Sequence, residues 1–146
     1  MKQILFFAVL ISLTLFGCKK SYSSEPAPSS LDGKWRMTKV TDIASGLTTT
    51  KPSSISKDVD ITFTSTNPST GTFFGNTPTN DISKSDYTIG SNQTIIIPAL
   101  NMTKVGETSW GILFVDNIRS SQEYSFEVGG LLNIETTNKI LTFQKQ

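Results

Sequence analysis

The stretch YSFEVGGLLNIETTNKILTF, residues 124–143, contains three short segments in which apolar and polar residues alternate, separated by two turns. Alternation with a period of two predicts half-buried β-strands. A slip of one residue would turn the apolar face of a strand outward. We therefore expect a three-residue first loop, residues 128–130, in which a glycine adopts a positive φ.

The loop lengths determine how these three strands pair. The three-residue loop pairs Phe126 with Leu132, which brings the apolar faces of the first two strands together. A two-residue turn at residues 138–139 then pairs Ile134 with Phe143 in the second hairpin. One apolar face continues across all three strands, so the stretch is predicted to form an antiparallel meander.

Strand patterns continue towards the N-terminus. Inward residues are expected in five segments, namely Trp35, Met37 and Val40; Val59, Ile61 and Phe63; either Phe73 or Phe74; Tyr87 and Ile89; and residues 94–97. The isoleucines of the last segment do not alternate with polar residues, so we expect both of its faces to be covered. Segments rich in Ser, Thr, Pro, Gly and Asn predict loops at residues 45–56, 67–71 and 75–84.

One helix is predicted, at about residues 108–120. Its apolar stripe has the spacing i, i+3, i+4 and i+8 and consists of Trp110, Leu113, Phe114 and Ile118. A Thr or Ser at its start can cap it. Ile112 and Val115 lie off this stripe, so either the helix is covered on two sides or residues 110–115 form a strand. The length of the segment favours the helix.

These patterns predict a mainly β (α+β) fold, in which a curved antiparallel sheet of about seven or eight strands packs on one helix. The length of the chain suits a single domain. We divide the chain into a lipoprotein signal peptide (1–17), a flexible linker rich in Pro and Ser (18–30) and a β domain (31–146).

The start of the chain has the features of a bacterial lipoprotein signal. An apolar run at residues 4–16 follows Lys2 and is shorter than the roughly 20 residues that span a bilayer. It ends in Leu-Phe-Gly-Cys, which resembles the lipobox, so we expect cleavage after Gly17 and lipidation of Cys18. The alternative is an ordinary secretory signal with a chance cysteine. Cys18 is the only cysteine, however, and an unpaired thiol in an oxidising compartment is reactive unless it is capped.

Lipidation would place the protein in the bacterial cell envelope. Two or more acyl chains anchor a protein stably, so the membrane is the partner predicted through Cys18. Lys19 stands where an aspartate retains some lipoproteins in the inner membrane. This residue favours the outer membrane, with the domain facing the periplasm or the cell surface and held off the bilayer by the linker.

Composition argues against several classes of function. Without residues 1–17 the chain keeps 129 residues (146 − 17), with 12 basic side chains (13 less Lys2) and 12 acidic ones, so no basic field attracts nucleic acid. Histidine is absent, which removes the commonest metal ligand and general base. We therefore predict a protein that is not an enzyme, with no catalytic residues, no metal and no cofactor.

A few polar and aromatic residues are candidates for a site. Asp58 and Asp60 share the outer face of one strand, either as a weak divalent-cation site or, as we favour, as solvated charges at a sheet edge. Asn80 is expected to be a buried amide that holds its own loop, or alternatively a polar contact at a ligand-binding mouth. Trp110 and Phe114 are expected in the core, or alternatively in the wall of an apolar pocket.

The order and spacing of several motifs resemble one known family. These motifs are LDGKW (31–35), GTFFGNTPTN (71–80), MTK (102–104), YSFEVGGLLNI (124–134) and LTF (141–143). The pattern resembles the META domain of heat-inducible bacterial lipoproteins of the HslJ type. The resemblance implies a curved antiparallel sheet on one helix, no established enzymatic activity, and an association with envelope stress, drug tolerance and motility-related secretion. Asn80 matches the family asparagine, but Thr79 stands where many members have cysteine, which removes any disulfide or redox role.

The expected function is that of a lipid-anchored, non-enzymatic envelope protein. It would be a binding or structural accessory in envelope maintenance or stress tolerance, in contact with another envelope protein or a cell-wall component. The alternative is a lipocalin-like carrier whose curved sheet encloses a small apolar ligand. A hydrolase is a third class, disfavoured because the chain offers neither a histidine nor a usable thiol.

Replacing Cys18 by Ser is expected to abolish acylation, because serine has no thiol to form the thioether. Labelling with radioactive palmitate, together with membrane fractionation, measures the effect. A matched Ser21→Ala variant should still be acylated and retained in the membrane. Normal processing and membrane retention of the Cys18→Ser variant would contradict the lipoprotein assignment.

Overall fold

Residues 26–146, the part of the chain that this computed structural model describes, contain nine β-strands and one α-helix joined by turns and loops. The predicted signal peptide, the cleavage site at Gly17, the lipidation site at Cys18 and most of the linker lie outside the described residues. The elements are β1 (Gly33–Asp42), β2 (Thr48–Thr50), β3 (Asp60–Asn67), β4 (Thr70–Asn76), β5 (Asp81–Ile89), β6 (Ile95–Ile96), α1 (Ser109–Ile118), β7 (Ser121–Glu127), β8 (Leu131–Thr136) and β9 (Lys139–Lys145). The predicted mainly β fold with one helix is confirmed, although the described strands number nine rather than seven or eight.

The sheet curls into a nearly closed antiparallel barrel. Its strand order is β6-β5-β4-β3-β1-β9-β8-β7, and β2 pairs with β1 off this path. A single bridge between Thr94, beside β6, and Glu123 of β7 brings the two ends of the sheet together. This arrangement leaves the apolar faces of the strands on the inside.

The residues predicted to face inward on β1 and β3 are buried. On β1, Trp35, Met37 and Val40 are buried. The pairing of β1 with β9 shifts between Met37 and Lys39, and this irregularity places Val40 rather than Lys39 inside. The inward residues on and beside β3 are Val59, Ile61 and Phe63.

The helix α1 packs its predicted stripe into the barrel. Trp110, Phe114 and Ile118 are fully buried, and the ring of Phe114 meets that of Phe143 edge-on, with 6.4 Å between the centroids. The hydroxyl of Thr108 caps the helix. The predicted helix is therefore confirmed, and the alternative strand over residues 110–115 is wrong. No helix among the described residues is long and apolar enough to cross a membrane.

The first C-terminal hairpin has the predicted register. Phe126 pairs with Leu132, and Gly129 and Gly130 have φ values of 89° and 72°. Glycine tolerates such values because it has no Cβ.

The second C-terminal hairpin differs from the prediction by two residues. Ile134 pairs with Leu141 instead of Phe143, because the turn lies at residues 137–138. The hydroxyl of Thr136 fixes this turn, since it accepts a hydrogen bond from the N–H of Lys139 at 3.0 Å and donates one to the Lys139 carbonyl at 2.9 Å. A shift of two residues keeps every side chain on its predicted face.

Two predicted loops contain strands. Residues 45–56 include β2, whose threonines pair with the end of β1 and favour extended backbone. Strands β4 and β5 extend into residues 75–84 and leave only a turn at residues 77–80. The polar ends of these strands show no apolar alternation, so the sequence pattern did not reveal them.

The isoleucine run was predicted to be covered on both faces, and this prediction is wrong. Ile95 and Ile97 are buried, whereas Ile96 between them is 52% exposed. The run therefore alternates like its neighbours, with an apolar residue on the solvent side. It lies at the end of the sheet, where only one face meets the core.

The turn between β5 and β6 adopts an unusual backbone conformation. The N–H of Thr94 donates to the carbonyl of Ser91 at 3.2 Å, and the two residues between them, Asn92 and Gln93, have φ values of 56° and 60°. Asparagine tolerates this left-handed region better than most residues, whereas glutamine does not.

Replacing Gln93 by Gly is expected to stabilise the fold by about 1 kcal/mol, because glycine adopts positive φ without a steric cost. Chemical denaturation followed by circular dichroism measures the change. The control is Gln122→Gly, at an exposed position of β7, where glycine should destabilise the strand. A Gln93→Gly protein that is less stable than the wild type would contradict this interpretation of the turn.

Candidate functional site

A surface groove of about 360 Å³ lies between α1 and the segment of residues 100–107. One wall is a stripe of α1 with the spacing i, i+3, i+4 and i+7, formed by Ile112, Val115, Asp116 and Arg119. The remaining lining residues are Asn80, Leu100, Met102, Thr103, Lys104, Val105 and Glu107. We call this feature the α1 groove.

The α1 groove exposes apolar side chains to solvent. Val105 is 62% exposed and Ile112 is 44% exposed, while Leu100, Met102 and Val115 are half-buried. Single exposed apolar residues are normal, but a concave group of them beside a few polar groups is typical of binding sites. Ile112 and Val115, the two apolar residues outside the core stripe of the helix, thus line the α1 groove.

Asn80 is buried and holds the wall of the groove in place. Its Oδ1 accepts hydrogen bonds from the N–H of Val105 at 2.8 Å and the hydroxyl of Thr103 at 3.0 Å. Its Nδ2 donates to the Val105 carbonyl at 3.0 Å and to a carboxylate oxygen of Glu107 at 2.9 Å. The side chain therefore fixes residues 103–107, and the backbone N–H of Asn80 holds its own turn by donating to Thr77 Oγ1 at 3.0 Å.

The carboxylate of Glu107 is surrounded by hydrogen-bond donors. It accepts from the hydroxyl of Thr77, from the hydroxyl of Thr79 at 2.8 Å, from Asn80, and from the N–H of Thr108 at 2.8 Å. Thr108 in turn caps α1 by accepting a hydrogen bond from the N–H of Gly111 at 3.1 Å. Glu107 therefore links the 77–80 turn to the start of the helix.

The environment keeps Glu107 ionised. Burial alone would raise the pKa of Glu107, but the hydrogen bonds from Thr77, Asn80, Thr108 and Thr79 together outweigh burial and lower it. A carboxylate that accepts several hydrogen bonds is stabilised in its charged form. Its role at this position is to hold three parts of the chain together.

Trp110 and Phe114, the aromatic candidates from the sequence, lie in the core. Both side chains have no exposed surface, and neither lines the α1 groove. The indole Nε1 of Trp110 is buried without a hydrogen-bond partner among the described residues. These two rings therefore do not form the wall of the α1 groove.

Asp58 and Asp60 were predicted to be solvated charges at a sheet edge, and this prediction is wrong. Strand β3 lies between β1 and β4, and Asp60 is only 8% exposed. The guanidinium of Arg36 contacts Asp60 at 2.8 Å and Asp58 at 3.2 Å. Lys34 also pairs with Asp60 at 3.1 Å, and Lys51 pairs with Asp58 at 2.5 Å. Both carboxylates are thus held in a network of ion pairs on the outside of the barrel.

That network leaves the two aspartates with cationic neighbours. Burial raises the pKa of Asp60, but the hydrogen bond and charge of Arg36, followed by those of Lys34, lower it overall.

No group of three or more Cys, Asp or Glu side chains among residues 26–146 is arranged to hold a metal ion.

The α1 groove lies at the end of the barrel opposite to where the linker joins it. Asp32 accepts a hydrogen bond from the N–H of Ser65 at 2.6 Å, so the linker reaches the domain beside the last residues of β3. Strand β4 runs from that end to the 77–80 turn, where Asn80 supports the groove. The length of β4 therefore separates the groove from the linker.

Sequence reasoning did not identify most of the residues around the groove. Glu107 was not singled out, and Lys104 and Arg119 were not predicted as site residues, because residues 98–107 have no periodicity that predicts an element or its position beside α1. The available signal was the pair of apolar residues off the core stripe of α1, Ile112 and Val115. Asn80 was identified, but its partners in the segment 103–107 were not.

The geometry of the α1 groove suits noncovalent binding, since it combines apolar walls with a few polar groups at the rim. Comparisons of the chain with protein-family models, with curated proteins and with solved structures found no match. The groove is therefore the basis on which a function is proposed.

Replacing Glu107 by Gln is expected to destabilise the domain by about 1–3 kcal/mol at neutral pH, because a charged acceptor of several hydrogen bonds is lost. The pKa of Glu107 is lowered by folding, so its contribution is complete above the ordinary glutamate pKa and is lost as the pH falls through the lowered value. The difference between the two proteins should therefore shrink on acidification, as measured by urea denaturation across the acidic range.

A matched control for this experiment is Asp86→Asn, which changes an exposed carboxylate on β5 in the same way. Its stability should stay within about 0.5 kcal/mol of the wild type. A Glu107→Gln protein as stable as this control would contradict the role assigned to Glu107.

Proposed function

We propose that this protein is a lipid-anchored, non-enzymatic accessory of the bacterial cell envelope that binds its partner in the α1 groove. The lipid on Cys18 would hold it at the outer membrane, and the linker would keep the domain off the bilayer. Binding in the groove would serve envelope maintenance or stress tolerance. The partner is another envelope component, present on the side that the domain faces.

One observation carries the proposal, namely the position of the groove relative to the linker. The chain joins the barrel beside Ser65, and the groove lies at the other end of β4, beside the 77–80 turn. A domain tethered at one end presents the opposite end to the surrounding compartment. The exposed apolar side chains of Val105 and Ile112 are at that distal end.

The META-like assignment of residues 31–146 stays a prediction. A curved antiparallel sheet with one helix is compatible with it, and so is the position of Asn80, which matches the family asparagine. The associations of that family with envelope stress and drug tolerance give the phenotypes to measure first. They enter the proposal only through the resemblance of the motifs.

A lipocalin-like carrier is the second candidate, and the barrel-like sheet favours it. In such a carrier the ligand occupies the barrel interior. Here the interior holds large side chains with no exposed surface, such as Trp35, Trp110, Phe114 and Phe143. A cargo would therefore fit better in the α1 groove than among the core residues.

Replacing Ile112 by Glu is expected to abolish function, because it places a charge on the apolar wall of the groove. The test is complementation of a deletion strain, scored by survival under detergent and heat stress. Ile112 is 44% exposed, so the substitution should leave the fold intact, which circular dichroism can check.

The control is Val128→Glu, at an exposed position in the turn between β7 and β8, far from the groove. This variant should complement as well as the wild type. A folded Ile112→Glu protein that also complements fully would contradict a functional role of the groove.

A further inference from the structure

The rim of the α1 groove carries two cationic side chains without an ionic partner among the described residues. Lys104 and Arg119 both line the groove and are exposed, and neither forms a salt bridge or a side-chain hydrogen bond there. Asp116 precedes Arg119 by three residues on the same helix face, a spacing that allows an ion pair, yet none forms. Both cations are thus free to meet a ligand.

Two carboxylates, those of Glu107 and Asp116, also line the groove, so the formal charges of the lining sum to zero and only their positions can favour an anion. The carboxylate of Glu107 is already engaged by Thr77, Thr79, Asn80 and Thr108. Asp116 is then the only acidic side chain of the lining that is not engaged by hydrogen bonds among residues 26–146. The charge of Glu107 is directed at its own hydrogen-bond donors, whereas at the exposed rim the two cations Lys104 and Arg119 stand against the single carboxylate of Asp116, which favours an anion there.

The apolar walls and the volume of the groove limit the apolar part of any ligand that binds there. The apolar lining residues are Leu100, Met102, Val105, Ile112 and Val115. A volume of about 360 Å³ is at the lower end of the range for small-molecule sites, which is roughly 300–1,000 Å³. The groove therefore suits one short alkyl chain and has no room for a lipid with two long chains.

We propose that the α1 groove binds a single-chain amphiphile with an anionic carboxylate head group, its alkyl chain against Ile112 and Val115 and its carboxylate between Lys104 and Arg119. This inference rests on the proposed function and names the class of ligand for the same groove. Apolar walls provide the affinity, and the two cations provide the preference for an anion.

Binding can be tested with octanoate, and with octanol and octylamine as neutral and cationic analogues of equal chain length. The protein is the chain from residue 18 onwards with Cys18→Ser, so that no protein-bound acyl chain competes. Nuclear magnetic resonance titration at neutral pH reports both the affinity and the residues that respond. A ligand of this size should bind with a dissociation constant of about 1 mM.

The preference should follow the charges on the rim. Arg119→Gln and Lys104→Gln are each expected to weaken octanoate binding about two- to fivefold, as expected for exposed ion pairs. Asp116→Asn should tighten it, because a repelling carboxylate is removed. The control Lys39→Gln, an exposed charge on β1 outside the groove, should leave the affinity unchanged.

The proposal is supported if octanoate binds more tightly than both analogues, perturbs the groove residues and responds to the four variants as stated. Equal binding of all three probes, a preference for octylamine, weaker binding by Asp116→Asn, or perturbation confined to other surfaces would overturn it. If octanoate does not bind while Ile112→Glu still fails to complement, the ligand class is wrong and the groove keeps its proposed function.

Discussion

The hydrogen bonds that join Asn80 to Glu107 hold together three parts of the chain that are far apart in sequence. Asn80 fixes the segment 103–107 through both the N–H and the carbonyl of Val105, and Glu107 connects that segment to the 77–80 turn and the cap of α1. Residues 101–103 also pair with β5, through the bridge between Ile82 and Met102, so these contacts matter most for residues 104–107, which belong to no strand or helix. The walls of the α1 groove depend on this small polar cluster, in which the buried side chains of Thr77 and Asn80 both have hydrogen-bond partners.

The barrel itself supplies stability and orientation. Its interior is filled by aromatic side chains in edge-on and stacked contacts, including Trp35 with Phe126 at 6.0 Å between ring centroids and Phe114 with Phe143 at 6.4 Å. Such packing favours a rigid scaffold over an internal binding cavity. The binding site proposed above therefore lies on the outside, where Ile112 and Val115 of α1 line the groove at the end of the barrel away from the linker. An arrangement of this kind would separate the proposed lipid anchor from the proposed binding site.

The inward and outward faces of the strands were predictable because side chains alternate between the two faces along each strand, whatever the rest of the chain does. Trp35, Ile61 and Phe126 point inward as alternation requires, and even the error of two residues in the last hairpin left Leu141 and Phe143 on the expected face. Polar strand segments were not predictable, as at the start of β5, because their extended conformation comes from pairing with a neighbour and leaves no apolar pattern. Asp60 was misjudged for a related reason, since the sequence does not say that β3 would lie between two strands beside Arg36.

The sequence by itself determined the period of each strand, the core stripe of α1, the positive φ of the glycine turn and the features that predict a lipid anchor at Cys18. These depend on the order of residues within one segment. Tertiary structure alone decided the closure of the barrel, the ion-pair network around Asp60 and the α1 groove. Each of these brings together segments separated by tens of residues, as Asn80 and Glu107 are, and their geometry follows from how the whole sheet curls. Ile112 and Val115, the apolar residues outside the core stripe of α1, were the only local sign of the groove. The sequence of a helix shows that such residues exist, but it does not show which segment packs beside them.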